Sequence, residues 1–442
     1  MTSTLASTGA ALVLTLGMLF VGGAATTGPE ATQAVGRSGP LAGLPSLPGP
    51  TIQKIKALGD NDWVNLGAPA PDPKWGHARG RSWSCRMPYA PDLGGAFLNG
   101  QGVHGYIKPD GRFQDDIYFY DLNAHRWICI YPGTDTKNLV ENVKQGDLAV
   151  NGDGQLVDKT GQPVPFSATP GHSYQTHAYD RDAHKYIFGG GAGIGSEQHV
   201  REQEWLKKGR ELLLAQGKTD KVAGTPYFFN AVTGKFERYA QAGAARTPHG
   251  VLFYLPSRKA LWVYTGGGAG SETWLGDTTT HRWSKVATKG PPPPGSNDLG
   301  ACYDSKRDRL YLGRGPYGPP QQPNEGHVFM YDVKTNTWSN PPNKPNAIAL
   351  PATNYGVVNY DAVADRVIVV GHWEGKGGVS AYDPETGAWE SPPPPPAAFL
   401  ADQGCVHGFY SAEVNAHFFY LAGDSDDRGT MWAYRFKRSE GR

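Results

Sequence analysis

The chain has 442 residues, and its 42 basic and 41 acidic side chains give a formal net charge of only +1. A protein without a net positive field has no general attraction for nucleic acid or anionic membrane, so the composition excludes both classes of partner. The 59 glycines and 36 prolines are typical of a fold in which many short strands are joined by turns.

The first 50 residues have the composition of a targeting segment followed by a linker. Residues 10–21 form an apolar run of 12 residues, which is too short to span a bilayer as a helix. The small residues Gly23, Ala24 and Ala25 suit a cleavage site, although no lysine or arginine precedes Arg37. We interpret residues 1–25 as a signal peptide and expect a secreted or periplasmic protein, with a buried or disordered tail as the alternative. Residues 26–50 predict a flexible linker.

A turn frame that ends in a large aromatic residue recurs along the rest of the chain. Its first copy runs from Tyr120 and Asp121 through a tight turn to Trp127. In every copy the aromatic stands six residues after an aspartate or asparagine, whose side chain can hydrogen-bond the backbone of the turn. The other copies lie at residues 230–236, 277–283, 332–338 and 383–389. Because the aromatic can pack against a neighbouring sheet, each copy predicts two strands of a larger unit.

Apolar segments ending in small residues or glycine predict a further strand for each unit. They lie at residues 96–98, 186–190, 261–267, 310–313, 367–371 and 418–423. Units of four strands that repeat about every 50 residues predict a β-propeller. After Trp432 the chain ends before a closing tryptophan, but residues 62–66, which include Trp63, can supply the missing strand. We predict an all-β, six-bladed propeller over residues 51–438, closed by this N-terminal strand, which removes two sheet edges.

The glycine-ended second strand, the Tyr-Asp pair before the turn and the tryptophan after it resemble the kelch repeat. The resemblance covers about residues 60–436 and implies a member of the galactose oxidase central-domain-like superfamily. It implies no single activity, because one scaffold carries many unrelated functions.

Two insertions interrupt the repeat around blade 2. Residues 134–170 contain the turn at 151–154 between two apolar segments, which predicts an added β-hairpin. Within residues 191–224, the segment 196–217 predicts a helix, because Ser196 can cap it, Gly217 can end it and Trp205 lies on an apolar side. The helix is either a cover on the propeller rim or a lid over the central opening.

The four cysteines fit either an exported protein with disulfides or a set of small buried residues. Cys85, Cys302 and Cys405 fall on predicted first strands and Cys129 on a fourth strand. Four cysteines allow three full pairings, and the spacing does not choose among them. We favour the reading as small buried residues. No spacing resembles a zinc site, and we expect no metal and no cofactor.

The predicted loops differ between the two sides of the disc. In a kelch blade the loops between strands 2 and 3 and the connections between blades emerge on the same face. Here those segments are long, and they include residues 291–295, 315–326, 341–353 and 392–401 and the two insertions. The loops between strands 1 and 2 are short and uniform. We call the two sides the long-loop face and the short-turn face, and we expect function on the long-loop face.

Alignment of the blades on one tyrosine per first strand places polar residues at the long-loop mouth of the central channel. The aligned tyrosines are Tyr89, Tyr179, Tyr254, Tyr303, Tyr360 and Tyr410. The predicted ligand-binding residues are Arg81, Trp83, His104, His172, Arg246, Asp298, Arg314, Asn354, His372, Trp373 and Asp402. Arginines and histidines with two tryptophans for stacking suit a hydroxylated or anionic ligand such as a sugar or a uronic acid. The alternative is a polar, water-filled channel without a ligand.

We favour a monomeric binding module that holds a glycan or a protein on its long-loop face, because no catalytic pair is fixed by spacing. The alternative is a carbohydrate-active enzyme, a sugar epimerase, a mutarotase or a polysaccharide lyase. The chain resembles kelch propellers that interconvert sialic acid anomers, and propeller-shaped lyases offer a second precedent. These imply His249 and Tyr174 as the acid and base, with Arg81, Arg246 or Arg314 as carboxylate clamps. A copper-radical oxidase is less favoured, because the Tyr-His dipeptide and a seventh blade are missing.

Overall fold

The computed structural model describes residues 36–438 apart from a number of segments. Those segments are residues 82–83, 85, 100–107, 113, 134, 136, 139–140, 142–144, 148, 151–155, 158, 160–174, 189–226, 239–249, 266–270, 281, 294–298, 315–327, 341–355, 374–375, 403–404 and 424–428. The expected signal peptide at 1–25 and the expected helix at 196–217 therefore lie outside the described residues.

An N-terminal arm, residues 37–58, packs against the propeller. It contains a 3₁₀ turn at Gly39–Leu41 and helix α1 at Pro50–Lys56. Proline at the first position suits a helix start, and Ile52 and Ile55, three residues apart, bury one side of α1. The prediction of a linker over residues 26–50 is corrected for residues 37–49. Leu41 is fully buried there, because its side chain adds to the apolar core between blades 1 and 2.

Strand β1 (Asp62–Gly67) follows the arm, and the ring of sheets then runs in chain order. Blade 1 contains β2 (Tyr89–Ala90), β3 (Gly95–Leu98), β4 (Ile117–Asp121) and β5 (Arg126–Tyr131). A two-stranded hairpin pairs β6 (Ala149–Val150) with β7 (Leu156–Val157). Blade 2 contains β8 (His177–Asp180), β9 (Lys185–Phe188), β10 (Tyr227–Asn230) and β11 (Lys235–Arg238). Blade 3 contains β12 (Val251–Leu255), β13 (Ala260–Tyr264), β14 (Thr273–Asp277) and β15 (Trp283–Lys285).

The last three blades continue the pattern. Blade 4 contains β16 (Leu299–Asp304), β17 (Arg309–Arg314), β18 (Val328–Asp332) and β19 (Thr337–Ser339). Blade 5 contains β20 (Gly356–Asp361), β21 (Arg366–Trp373), β22 (Lys376–Tyr382) and β23 (Trp389–Glu390). Helix α2 (Ala397–Leu400) leads into blade 6, whose strands are β24 (Cys405–Ser411), β25 (Ala416–Ala422) and β26 (Thr430–Arg435). The sheets form an all-β, six-bladed propeller, as predicted.

Strand β1 completes blade 6 as its fourth strand. It pairs antiparallel with β26, from Asp62 opposite Arg435 to Gly67 opposite Met431. The Trp63 ring stacks on Tyr434, with ring centroids 4.5 Å apart, and its centroid lies 4.9 Å from that of Phe399. The predicted closure of the ring by an N-terminal strand is confirmed, and so is the predicted hairpin between blades 1 and 2.

The short turns owe their shape to the aspartates that open them. Asp180 Oδ1 accepts hydrogen bonds from the backbone N–H groups of Asp182 and Ala183, at 2.9 and 3.0 Å. The turn then closes through His184, whose φ of 54° lies in the left-handed region. Asp304 and Asp361 open their turns in the same way. The repeated turn frames contain the same bonds, for example from the Thr279 and Thr280 N–H groups to Asp277 Oδ1, so the turn chemistry predicted for them is present.

The aromatic residue of the turn frame packs against the preceding blade. Trp127 of blade 1 lies edge-on to Tyr420 of blade 6, with ring centroids 4.9 Å apart. Trp338 of blade 4 contacts Tyr264 and Trp262 of blade 3, at 5.0 and 6.0 Å. Such contacts join sheets that share no strand, because large rings bury area across the gap between them.

Candidate functional site

The structure describes the side chains of three of the predicted site residues. They are Arg81, His372 and Asp402. For two others it describes the backbone, which places Arg314 at the end of β17 and Trp373 at the end of β21. The rest lie outside the described residues, and their convergence stays a prediction: Trp83, His104, His172, Tyr174, Arg246, His249, Asp298 and Asn354.

Arg81 is fully buried and bonded to protein groups. Its Nη2 atom pairs with Oδ1 of Asp116 at 2.5 Å, and Nη1 donates to the carbonyl oxygens of Arg79 and Gly80. The charged Nη2 group therefore has an internal counter-ion, which a buried guanidinium needs. This geometry makes Arg81 an anchor for the loops around it and does not present its guanidinium to solvent.

His372 and Asp402 come together beside α2. The buried His372 ring lies edge-on to Phe399 of α2, with centroids 5.4 Å apart. Burial lowers the pKa of His372, and the charge of Asp402 acts in the opposite direction. His372 lies near the end of β21, and Asp402 lies in the connection that leads into β24.

Two buried histidines hold the segment that leads into blade 1. His407 of blade 6 accepts a hydrogen bond at Nε2 from the Arg81 N–H at 3.0 Å, and its Nδ1 atom is bonded to the Ser84 carbonyl. His177 of blade 2 lies 3.2 Å from Ser84 Oγ through Nε2 and 3.1 Å from the Tyr186 hydroxyl through Nδ1. Burial lowers the pKa of each histidine to about 3, so both rings are neutral.

A cleft of about 540 Å³ opens next to Arg81 on the long-loop face. We call it the Trp75 cleft. It combines aromatic rings with cationic and acidic groups, and these residues are Trp75, Tyr118, His77, Arg79, Lys108, Asp110 and Asp116. Trp75 and His77 are half-buried and Asp110 is exposed, whereas Asp116 is buried.

The segment between β1 and blade 1 builds one wall of the cleft. Asp72 Oδ1 accepts from the backbone N–H groups of Lys74 and Trp75, both at 2.9 Å. Its second carboxylate oxygen accepts from the N–H of Cys129 on β5, which ties the turn to blade 1. The Tyr118 hydroxyl donates to the Trp75 carbonyl at 2.9 Å. The backbone N–H and the carbonyl group of Trp75 are therefore both held by hydrogen bonds to side chains.

Gly80 lets this segment approach blade 6 closely. A Cβ atom at residue 80 would lie 1.9 Å from the carbonyl oxygen of Ala422. Gln114 Nε2 donates to the Gly80 carbonyl at 2.8 Å. Only glycine fits at this position, because no side-chain rotation can relieve a clash at Cβ.

The charges that line the cleft are mixed, with the cations Arg79 and Lys108 and the carboxylates Asp110 and Asp116. Asp116 is shared between Arg81 and Lys108, whose Nζ atom lies 3.3 Å from Oδ2. The guanidinium of Arg112 lies 4.8 Å from the centre of the Trp75 ring, within the range of a cation–π contact. An arrangement of this kind can stack a flat apolar ligand face and hydrogen-bond hydroxyl or carboxylate groups around it.

The sequence indicated Arg81, which lies beside the Trp75 cleft, but not the residues that line the cleft. The signal was available in the run from Lys74 to Arg79, where a tryptophan, a histidine and two cations fall within six residues of a long-loop connection. The partner loop that brings Lys108 and Asp110 against this run is about 30 residues away in the sequence, and no local pattern links the two.

The buried thiols of Cys129 and Cys302 do not suit nucleophilic chemistry. Cys129 and Cys302 are buried and free, so the four cysteines do not form two disulfides. Burial raises the pKa of the Cys129 thiol to about 12 and also raises that of Cys302. His407, two residues after Cys405, has both ring nitrogens bonded to the backbone of residues 81 and 84. It is thereby occupied in holding blade 1.

The sequence matches no protein-family model and no curated protein. Within the described ranges, no group of three or more histidine, cysteine, aspartate or glutamate side chains could hold a metal ion. No helix among the described residues is long and apolar enough to cross a membrane. The class that the fold defines is the six-bladed β-propeller.

Proposed function

We propose that this propeller is a kelch-type binding module that holds an acidic glycan in the Trp75 cleft. The observation that carries the proposal is the cleft itself. Its half-buried tryptophan can stack on a sugar face, and hydrogen-bonding groups surround that ring.

The charges favour an anionic over a neutral sugar. Arg79 and Lys108 line the cleft with His77, while Asp116 already pairs with Arg81 and Lys108. With Arg81 counted behind Asp116, three cations stand against the carboxylates of Asp110 and Asp116, so a uronic acid meets a net positive charge. Asp110 is exposed in the same cleft and can accept a hydrogen bond from a sugar hydroxyl.

The kelch assignment and export are parts of the same proposal. The turn frames, the glycine-ended strands and the ring of six blades support the former. The apolar run at 10–21 and the small residues after it support export. Cleavage before Arg37 would leave the N-terminal arm intact, since the Arg37 guanidinium bonds Asp92 and the Leu44 carbonyl. Mass spectrometry of exported protein should find an N-terminus between residues 25 and 37, and intact Met1 on all of the protein would contradict export.

The binding test is a panel of neutral and uronate-containing oligosaccharides, followed by titration calorimetry on the hits. We expect saturable binding of a uronate glycan, and a loss of about tenfold or more in affinity for Trp75→Ala and for His77→Ala. Arg246→Ala and His249→Ala test the channel mouth on the same face. Arg181→Ala, on the short-turn face, is the matched control and should change nothing.

The outcomes separate the alternatives. If the Arg246 and His249 variants lose binding and the Trp75 variant does not, the ligand occupies the channel mouth and the cleft assignment is wrong. If Arg181→Ala alone weakens binding, the ligand lies on the short-turn face. If no glycan in the panel binds, the proposed ligand class is wrong. The enzymatic alternative depends on His249 and Tyr174, and no described contact favours it over binding.

A further inference from the structure

A second cavity lies at the other end of the molecule, inside the short-turn end of the central channel. It has a volume of about 270 Å³. Its wall contains one tyrosine from the first strand of every blade, and these are the six tyrosines on which the blades align: Tyr89, Tyr179, Tyr254, Tyr303, Tyr360 and Tyr410.

The hydroxyl groups of these tyrosines are bonded to acidic side chains. The Tyr179 hydroxyl, for example, donates to Asp92 at 2.9 Å, and the Tyr303 hydroxyl donates to Asp308 at 2.8 Å. None of those acidic groups is among the described residues that line the cavity. Burial and the carboxylate partners raise the pKa of these hydroxyls, so they stay protonated. The tyrosines therefore contribute neutral, aromatic surface to the wall.

One charged side chain, Arg86, is among the described residues of the wall. It extends from blade 1 to blade 3, where its Nη1 atom donates to the Leu252 carbonyl at 2.7 Å. Its guanidinium carbon lies 3.6 Å from the centre of the Phe253 ring. The cavity thus has a fixed positive charge at a known point, beside an aromatic face.

The remaining wall is largely apolar. Phe409, Met87 and Val358 line it, and Asn359 adds a half-buried amide. A volume of about 270 Å³ corresponds to roughly nine water molecules at about 30 Å³ each. It therefore suits a single-ring molecule rather than a sugar chain.

We propose that this cavity binds a small aromatic carboxylate, with the carboxylate at the Arg86 guanidinium and the ring among the tyrosine and phenylalanine side chains. The Arg86 guanidinium keeps its positive charge while it bonds Leu252, and that charge attracts a carboxylate more than a neutral group. Aromatic walls favour a flat ring over a flexible chain, because ring contacts add to the area that is buried. The site is separate from the Trp75 cleft and does not depend on it.

Benzoate is the probe, and benzamide is its neutral counterpart of the same shape. We expect titration calorimetry and ligand-observed NMR to show saturable benzoate binding to the full chain, with benzamide at least about tenfold weaker, since only benzoate pairs with Arg86. Arg86→Met should remove the preference for benzoate over benzamide. Asn359→Trp fills the cavity from a half-buried position and should abolish binding of both.

Each variant is first compared with the wild-type protein by thermal unfolding, and the ligand comparison on the wild type stands even if a variant does not fold. Trp75→Ala should leave benzoate binding unchanged, so failure of the glycan proposal and failure of this one are distinguishable. Absence of saturable benzoate binding, equal binding of benzamide, or binding that survives in folded Asn359→Trp would each overturn the proposal.

Discussion

The two neutral histidines that hold blade 1 should make the stability of the propeller depend steeply on pH. Both His177 and His407 are fully buried, with both ring nitrogens bonded to protein groups. A proton added to Nε2 of His407 would displace the hydrogen bond from the Arg81 N–H and place a charge in the core. The folded protein therefore resists protonation of a ring that the unfolded chain protonates freely.

The magnitude follows from the difference between the two states. The pKa of each histidine is about 3 in the folded protein and 6.5 as its ordinary value. The stability from a lowered histidine pKa is complete above pH 6.5 and is lost as the pH falls from 6.5 toward 3. At pH 5.0 each histidine should cost about 2 kcal/mol relative to pH 7.5, or about 4 kcal/mol for the pair. That is a large part of the stability of about 5–15 kcal/mol that is common for folded proteins.

The assay is urea unfolding followed by tryptophan fluorescence at pH 7.5 and 5.0, on the wild type and on His407→Gln and His177→Gln. The comparison uses the change in free energy of unfolding between the two pH values within each protein, because each substitution also lowers stability at pH 7.5. Burial lowers the pKa of His125 and His372 too, and these add to the wild-type change in every variant. Each glutamine variant should lose about 2 kcal/mol less than the wild type on acidification.

Two results would refute this reasoning. One is a wild-type change of less than about 1 kcal/mol between the two pH values, which would mean that the rings accept protons without cost. The other is a full wild-type change in both variants, which would place the acid sensitivity in other groups.

Two further predictions concern the closure of the ring and the close approach of residue 80 to blade 6. Trp63→Ala should lower the free energy of unfolding by about 3 kcal/mol, because it removes ring contacts to Tyr434 and Phe399. Leu47→Ala, at a side chain that is 89% exposed, is the control and should have no effect in the same denaturation assay. Equal effects of the two substitutions would argue against closure by β1. Gly80→Ala should cost about 3 kcal/mol or more, since its Cβ would overlap a backbone carbonyl, and a melting temperature within 1–2 °C of wild type would show that the backbone shifts freely there.

The fold could be predicted because each blade carries its own local signals. The aspartate that opens a turn and the tryptophan six residues later are in one sequence window, so Asp332 and Trp338 could be recognised without any distant contact. Even the closing strand could be inferred, since Trp63 supplies the residue that the last unit lacks. Local chemistry repeated along a chain is strong evidence for a repeat architecture.

The arm and the site were harder for the opposite reason. Glycine and proline around Leu41 give the composition of a linker, and only the packed structure shows that this leucine is buried against the propeller. Arg81 was predicted to face a ligand, but its counter-ion Asp116 is 35 residues away. Partners at such distances leave no local pattern, so the sequence alone could not show that this charge is already compensated.

Hydrogen bonds between neighbouring blades constrain the short-turn face of the disc. At every junction between two neighbouring blades, a side chain of one of them donates to an acidic side chain of the other. In ring order from the junction of blades 1 and 2, these pairs are Tyr179 with Asp92, Tyr254 with Asp182, Ser257 with Asp308, Arg307 with Asp365, Tyr410 with Asp361, and Tyr89 with Glu413.

Four of the six donors are tyrosines that also line the inner cavity. A change in the angle between two blades would break such a bond, so the same contacts that hold the ring together also fix the cavity dimensions. Binding there should require a ligand that fits a preformed space, whereas the Trp75 cleft is built from connections outside this belt.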